Sequence, residues 1–467
     1  MPVLPCHPHT FVYHNELYQF LSYCQQNVAN ESQIVSVSLE IDSVDPLIVL
    51  QQIAKPNQQS FYFENKSKNQ AIAAIDVVTK LQTCGANRFA QAQQFINSCL
   101  AQTITIGTSK DAISPHFFCS FSFFDEITQS NYPFSAVTVF LPRWQISCNG
   151  DHCILVANFL IDAKTNLDRL YQDLCQIVRT INFLKYTSTA INNTNSIICN
   201  EEKNIKNFKK TITSCLELIE SNYFQKIVLA HPLDVTYEEP IDLLRSLDNL
   251  RNIHPGCYIF AISNGKGQNF IGASPERLIS IHNQQLSTDA LAGSAPRGKT
   301  LAEDTMLANS LLTSEKEQHE HRVVSDFITQ CLYQLGITPQ ILPPRLRQLS
   351  NIQHLWTPIQ AQLPTHVHPL EIVAALHPTP AVAGVSRDKA CTKIRDYETF
   401  ERGLYAAPIG WLDAQGNSEF IVGIRSAMID RDRARLYAGA GIVAGSNPDR
   451  EVAEIQLKLQ ALLKALV

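Results

Sequence analysis

Apolar positions recur along this chain in two rhythms, and the balance between them shifts near residue 200. Before that point they cluster in short runs of strand length, Ile34–Ile41 (IVSVSLEI), Phe117–Phe124 and Ala136–Leu141, with ordinary turn residues between them. After it, helical spacing joins in. Ile205, Phe208, Ile212, Cys215, Leu216 and Ile219 share one helix face, so the spacing predicts a helix over Ile205–Ser221. Ala302–Leu312 and Glu317–Leu335 read as two more, the second with Val323, Val324, Phe327, Ile328 and Leu332 on one side. Strands are predicted at Lys226–Ala230, Phe270–Ala273, Phe420–Ile424 and Leu436–Ala440, and a helix from Asn447 to Val467 closes the chain. The polar stretch Thr187–Asn204 (TSTAINNTNSIICNEEKN) reads as a surface loop or linker. Strands and helices interleaved in this way predict a layered α/β (α+β) fold. Residues 1–200 and 205–467 form two regions of what reads as one continuous domain.

Composition narrows the class. With 467 residues, 45% of them hydrophobic and 17% charged, the chain can bury a large core and is far from a disordered composition. Its 38 basic against 43 acidic residues leave no excess cation to neutralise a phosphate backbone, so nucleic acid is not an expected partner. The basic run Lys203–Lys210 (KNIKNFKK) is interrupted by apolar residues and reads as a solvated helix face. No window approaches 18 uninterrupted apolar residues, and the opening MPVLPCHPHTFVYHNELYQF lacks the pattern of a secretory signal. No membrane association, a cytoplasmic location and a monomer are the expectations. The 13 cysteines are odd in number, scattered, and without paired CxxC clusters, which fits free thiols in a reducing compartment. Cys148 and Cys153 bracket His152, but no second ligand pair matches them for a zinc site.

Four clusters in the second half mix charge with glycine and proline where a plain core would use neither. In FQKIVLAH (Phe224–His231) a single lysine, Lys226, interrupts an apolar strand. It either snorkels to solvent from a strand edge or serves, desolvated, as a general base. In FIGASPERLIS (Phe270–Ser280) a buried-looking strand runs into Ser-Pro-Glu-Arg. Glu276 there either pairs with Arg277 or sits protonated as a general acid. LAGSAPRG (Leu291–Gly298) follows, its glycines permitting close backbone approach. SEKEQHEHRVV (Ser314–Val324) places Glu317 and Glu320 three apart on one helix face, and AGAGIVAGSNPDREVAEIQLK (Ala438–Lys458) does the same with Glu451 and Glu454, Lys458 following one turn later. Each pair reads either as an exposed acidic face or, taken together, as the hard carboxylate donors a magnesium ion needs.

In this order and at these separations the segments resemble the chorismate-binding enzymes, the family of anthranilate, aminodeoxychorismate, isochorismate and salicylate synthases. The likeness is dense from about Phe208 to the C-terminus and takes in HPTPAVAG (His377–Gly384), ERGLYAAPIGW (Glu401–Trp411) and EFIVGIRSA (Glu419–Ala427). Residues 1–200 match only as the variable amino-terminal part does. The resemblance implies two antiparallel sheets packed over each other with helices outside, and a site in the cleft between them. It implies that Glu320 and Glu454 hold Mg2+ with Glu317 and Glu451 behind, and that the metal binds the ring carboxylate of chorismate, a small-molecule substrate. Tyr405 and Arg425 would engage the enolpyruvyl carboxylate, while Gly293, Ser294, His377, Gly439 and Gly441 line the pocket and Lys458 sits by the metal-bound carboxylate. Family members that add ammonia usually carry Gln at the position of Lys226, as in a QVVLS-like strand. Those that add water carry Lys, as KIVLA does here. The implied activity is isochorismate synthesis, with Lys226 as base and Glu276 as acid. Salicylate synthesis is the nearest alternative and anthranilate synthesis a more distant one. Ser294 departs from the commoner Thr but keeps a hydroxyl.

Overall fold

The computed structural model describes residues 14–28, 32–107, 114–184, 197–199, 202–349 and 352–466. Most of the expected loop Thr187–Asn204 lies outside them; its described parts are a short strand, Ile197–Cys199, and the start of helix Glu202–Glu220.

Twenty-one strands among the described residues hydrogen-bond into one network, antiparallel except where Gln33–Ile41 runs parallel to Thr103–Gly107. The network forks at the long strand Val137–Asn149. One of its edges pairs with Gln70–Thr83, while the other divides between His116–Phe121 and His152–Ile161. From Gln70–Thr83 a first arm runs through Gln59–Asn65, Tyr258–Asn264, Gln268–Ser274, Ser426–Asp430 and Arg433–Val443 to Lys226–Tyr237. From His116–Phe121 a second arm runs through Pro408–Asp413, Ser418–Val422, Arg277–His282 and Gln285–Pro296 to Ile352–Gln362. The arms face each other. The Phe61 ring of the first packs tilted against Phe118 of the second with centroids 4.9 Å apart, and the Tyr258 hydroxyl donates to Glu419 at 2.7 Å between them. The antiparallel α/β class is as expected, and strands from the amino-terminal 161 residues share both arms with those that follow.

Two chain segments cross from one arm to the other side by side. Ser274–Arg277 leads from the first arm to the second, and Val422–Ser426 leads back. They are laced together by Ser274 Oγ donating to Val422 O (2.6 Å), Val422 N to Glu276 O (3.1 Å) and Ala273 N to Arg425 O (3.0 Å). Glu276 and Arg425 therefore sit where the layers part.

Two helices that frame this opening start at defined caps. Ser314 Oγ accepts from Glu317 N ahead of Glu315–Gln334, and Asn447 Oδ1 accepts from Asp449 N and Arg450 N ahead of Pro448–Leu463, whose first residue is a proline suited to that position. Both Glu-x-x-Glu pairs thus fall in the first two turns, where the helix dipole favours negative charge.

One cysteine expectation is corrected. Cys148 and Cys153 are joined by a disulfide rather than left as free thiols. The Gly150–Asp151 turn folds the two strands back so that these residues are direct cross-strand partners, with Cα atoms 4.2 Å apart. His152 between them pairs with Glu40 instead of joining a metal set.

Candidate active site

The cleft between the arms has an empty volume of about 860 Å3, its solvent-filled mouth included, and residues from all four of the mixed-charge clusters wall it. Lys226, the first residue of its strand, is 4% exposed although it carries an ammonium, so it does not snorkel to solvent. Its Nζ lies 2.6 Å from Glu320 Oε1, arriving from the helix opposite. A second ammonium behaves alike: Lys458 Nζ lies 2.7 Å from Glu454 Oε1 and donates to Gly439 O at 2.9 Å. The strand Arg433–Val443 is bare where it passes Lys226 and Tyr405. A Cβ at Gly441 would come within 3.1 Å of Lys226 Cε, and one at Gly439 within 2.8 Å of the Tyr405 hydroxyl.

The four glutamates feel one another. Burial and the neighbouring charge of Glu320 raise the Glu317 carboxyl, and burial and Glu454 raise Glu451. At Glu454 burial alone would act the same way, but Lys458 and the Ser294 hydroxyl outweigh it and the net shift is downward. Ser294 ties the two helices together, its backbone N–H donating to Glu317 Oε2 (3.2 Å) and its Oγ to Glu454 Oε1 (3.4 Å). Among the described residues no three His, Cys, Asp or Glu side chains stand close enough to form a ready cage. A hard cation that keeps part of its water and takes oxygen from a ligand needs no such cage.

The opposite end of the cleft is built on the two crossings. Glu276 is 6% exposed, and burial pushes its carboxyl up to about 7 against the opposing pull of Lys226. Arg277, its neighbour, turns away to Asp289 (2.7 Å), so the Glu276–Arg277 ion pair does not form. Arg425 adopts a left-handed backbone (φ +49°), uncommon for a bulky residue. Burial holds its guanidinium below the ordinary value, Arg347 adds repulsion, and Nη1 is buried without a hydrogen-bond partner. Tyr405 stacks on Tyr437 with centroids 5.1 Å apart and turns its hydroxyl toward Gly439.

Of the residues singled out from sequence, Lys226, Glu276, Gly293, Ser294, Glu320, Tyr405, Arg425, Gly439, Gly441, Glu454 and Lys458 line this one cleft. Glu317 and Glu451 do not line it; each precedes its partner, Glu320 or Glu454, by three residues on the same helix. His377 does not line the cleft either. Its imidazole is packed among Phe89 and Phe123, Nε2 bonds the Phe123 carbonyl (3.0 Å), and burial drives its ionisation down to about 3; Ala381 and Val382 form the wall instead. Sequence reasoning missed His354, whose Nδ1 bonds Gly293 O at 3.3 Å, and which burial beside Arg425 and Lys458 keeps neutral. Its position in an apolar strand, like that of Lys226, was the available signal.

Comparison with known proteins places the whole chain in one family. Residues 19–467 match the family model described as chorismate binding enzyme. The chain is 31% identical over 455 residues to isochorismate synthase MenF of Bacillus subtilis, covering 94% of each. It is 32% identical over 269 residues to anthranilate synthase component 1 of Saccharolobus solfataricus, covering 57% of this chain and 63% of that one. The solved menaquinone-specific isochorismate synthase MenF of Escherichia coli superposes with a TM-score of 0.77 over 97% of this chain and 100% of that one, at 24% identity.

Proposed function

We infer the activity from one premise: the chain belongs to the chorismate-binding enzyme family. We propose that it converts chorismate to isochorismate, water entering at ring C2 while the C4 hydroxyl leaves and the ring double bonds shift. The observation that carries this reading is a buried amine and a buried carboxyl facing one cavity, Lys226 and a Glu276 whose ionisation is pushed up to about 7. Lys226, once it leaves Glu320 and releases its own proton to solvent, would as the free amine take the proton of the attacking water. Glu276, about half of it protonated near neutral pH, would give one to the departing hydroxyl. The partnerless Nη1 of Arg425 and the Tyr405 hydroxyl offer donors for the enolpyruvyl carboxylate.

Magnesium fits the donor set. Glu320 and Glu454 would hold it, backed by Glu317 and Glu451, whose carboxyls are raised first by burial and then by the neighbouring carboxylate charge that a divalent cation would relieve. When bound, it supplies positive charge to the ring carboxylate of chorismate. Lys226 and Lys458 occupy those carboxylates in the structure described here, so both ammonium groups must yield as the cation binds. In this reading the chain works as one continuous domain in the cytoplasm.

The test is product analysis with chorismate and Mg2+ and no ammonia source. Isochorismate formed reversibly supports the proposal. Salicylate and pyruvate released at the rate of chorismate loss would establish the salicylate synthase reading, and anthranilate on adding ammonium salts would overturn the role given to Lys226.

A further inference from the structure

The strand that carries Lys226 lacks a full neighbour on one edge. Arg433–Val443 pairs with one side along its length, but on the other side the short pairing with Gly384–Val385 ends at Ile227, and Val228 N donates to Ala383 O at 2.8 Å. Between that point and Val235–Tyr237, where the short strand Ile197–Cys199 pairs, side chains bond the edge at Val228 and Ala230. Arg402 Nη2 donates to Val228 O (2.7 Å), and Glu398 Oε1 accepts from Ala230 N (2.8 Å). The two residues are themselves locked together, Arg402 Nε on Glu398 Oε2 at 2.7 Å, with side chains 1% and 5% exposed.

Arg402 reaches the other walls as well. Nη1 donates to Val382 O at 3.0 Å, its guanidinium lies 4.3 Å from the Phe123 ring and 5.9 Å from the Tyr405 ring, and its carbonyl accepts from Tyr405 N at 2.8 Å. Val228, Val382 and Tyr405 all line the cleft, whereas Arg402 and Glu398 do not. The amino-terminal part of the chain grips the same segment: Thr128 donates to Glu401, Phe123 N to Gly403 O, and Leu404 N to the Tyr132 hydroxyl.

We propose that Arg402, clamped by Glu398 and seated on Phe123, is a positioning residue that sets Lys226, Val382 and Tyr405 relative to one another. A planar fork with several donors can hold two carbonyls of different wall segments and a carboxylate at once, which a lysine cannot. The functional half of this claim rests on the proposed roles of Lys226 and Tyr405.

Arg402→Lys tests it, because the charge stays and the fork goes. The expected result is a folded protein with kcat lowered about 10- to 100-fold and KM for chorismate changed by less than about 3-fold, the pattern of a misplaced reacting group. Hydrogen exchange followed by mass spectrometry should show faster exchange in peptides spanning 226–231, with other strands unaltered. If that variant does not fold, Glu398→Gln, which keeps shape and one acceptor oxygen, carries the same two readouts. Wild-type kcat in a folded Arg402→Lys protein, or lowered kcat with unaltered exchange over 226–231, overturns the proposal. A wild-type protein that consumes no chorismate would instead overturn the function, leaving the exchange measurement to judge the clamp.

Discussion

At the glutamate end of the cleft each carboxylate facing the cavity has an ammonium within 2.7 Å, while at the Arg425 end a carboxyl and a guanidinium nitrogen are buried with no such partner. No described residue hydrogen-bonds the Glu276 carboxyl. The first end is internally satisfied, so a cation binding there must displace what already holds the site together. The second is internally unsatisfied, and burying polar groups without partners costs stability that only a ligand can return. The two ends should therefore respond to mutation with opposite signs in stability although both lose turnover.

The largest effect is expected at the satisfied end. Glu320→Ala and Glu454→Ala should each abolish chorismate turnover, since a magnesium ion held by so few carboxylates tolerates the loss of neither. Glu320→Ala should also lower stability by about 3 kcal/mol, because Lys226 is left as a buried ammonium without its partner. Turnover undiminished by excess chelator would break the metal assignment. A Glu320→Ala protein as stable as wild type would break the comparison.

Next come the two reacting groups. Lys226→Ala and Glu276→Gln should each lose about 10²- to 10⁴-fold in kcat with the fold intact, the usual contribution of a positioned proton transfer. Rates like those of wild type in either variant would remove that residue from the chemistry. Arg425→Met is expected to act on binding, raising KM for chorismate about 10- to 100-fold through loss of a charge-assisted hydrogen bond, without loss of stability. A fall in melting temperature comparable to that of Glu320→Ala would show that Arg425 is satisfied within the fold after all.

The glutamate end was far more legible in the sequence than the other. A Glu-x-x-Glu pair on a helix is a local pattern, and the capping residues Ser314 and Asn447 that put both pairs in opening turns are local too. Lys226 announced itself as one charge in an apolar strand. The Arg425 end depends on two crossings that meet only in the folded chain, so neither the missing partner of Nη1 nor the turn of Arg277 toward Asp289 could be read from spacing. The Glu398–Arg402 pair shows the same limit: four residues apart and polar, it has the spacing of a surface ion pair, yet it completes a strand edge in the interior. His377 failed for a related reason, because position in a motif does not say which side of a wall the ring takes. The Cys148–Cys153 bond needed a hairpin register that cysteine counting ignores.

An effect on stability alone, spread over several pH units, separates the two ends most cleanly. Burial pushes the Glu276 carboxyl from 4.5 up to about 7 in the fold, so the folded protein binds that proton more tightly than the unfolded chain does. Stability from this group is fully present below pH 4.5 and is lost as pH rises toward 7, by up to about 3 kcal/mol. Glutamine has no such proton to lose. Denaturant unfolding without ligand should therefore find Glu276→Gln gaining on wild type by up to about 3 kcal/mol between pH 4.5 and pH 8. Any constant cost of seating an amide in that pocket shifts both ends of the comparison equally, so the change with pH carries the test. An inactive variant that grows relatively more stable with rising pH would show that the fold tolerates a strained acid for the sake of the reaction. A difference that stays flat across the range would mean Glu276 ionises as an ordinary carboxylate, and the role of general acid would pass to another group in the cleft.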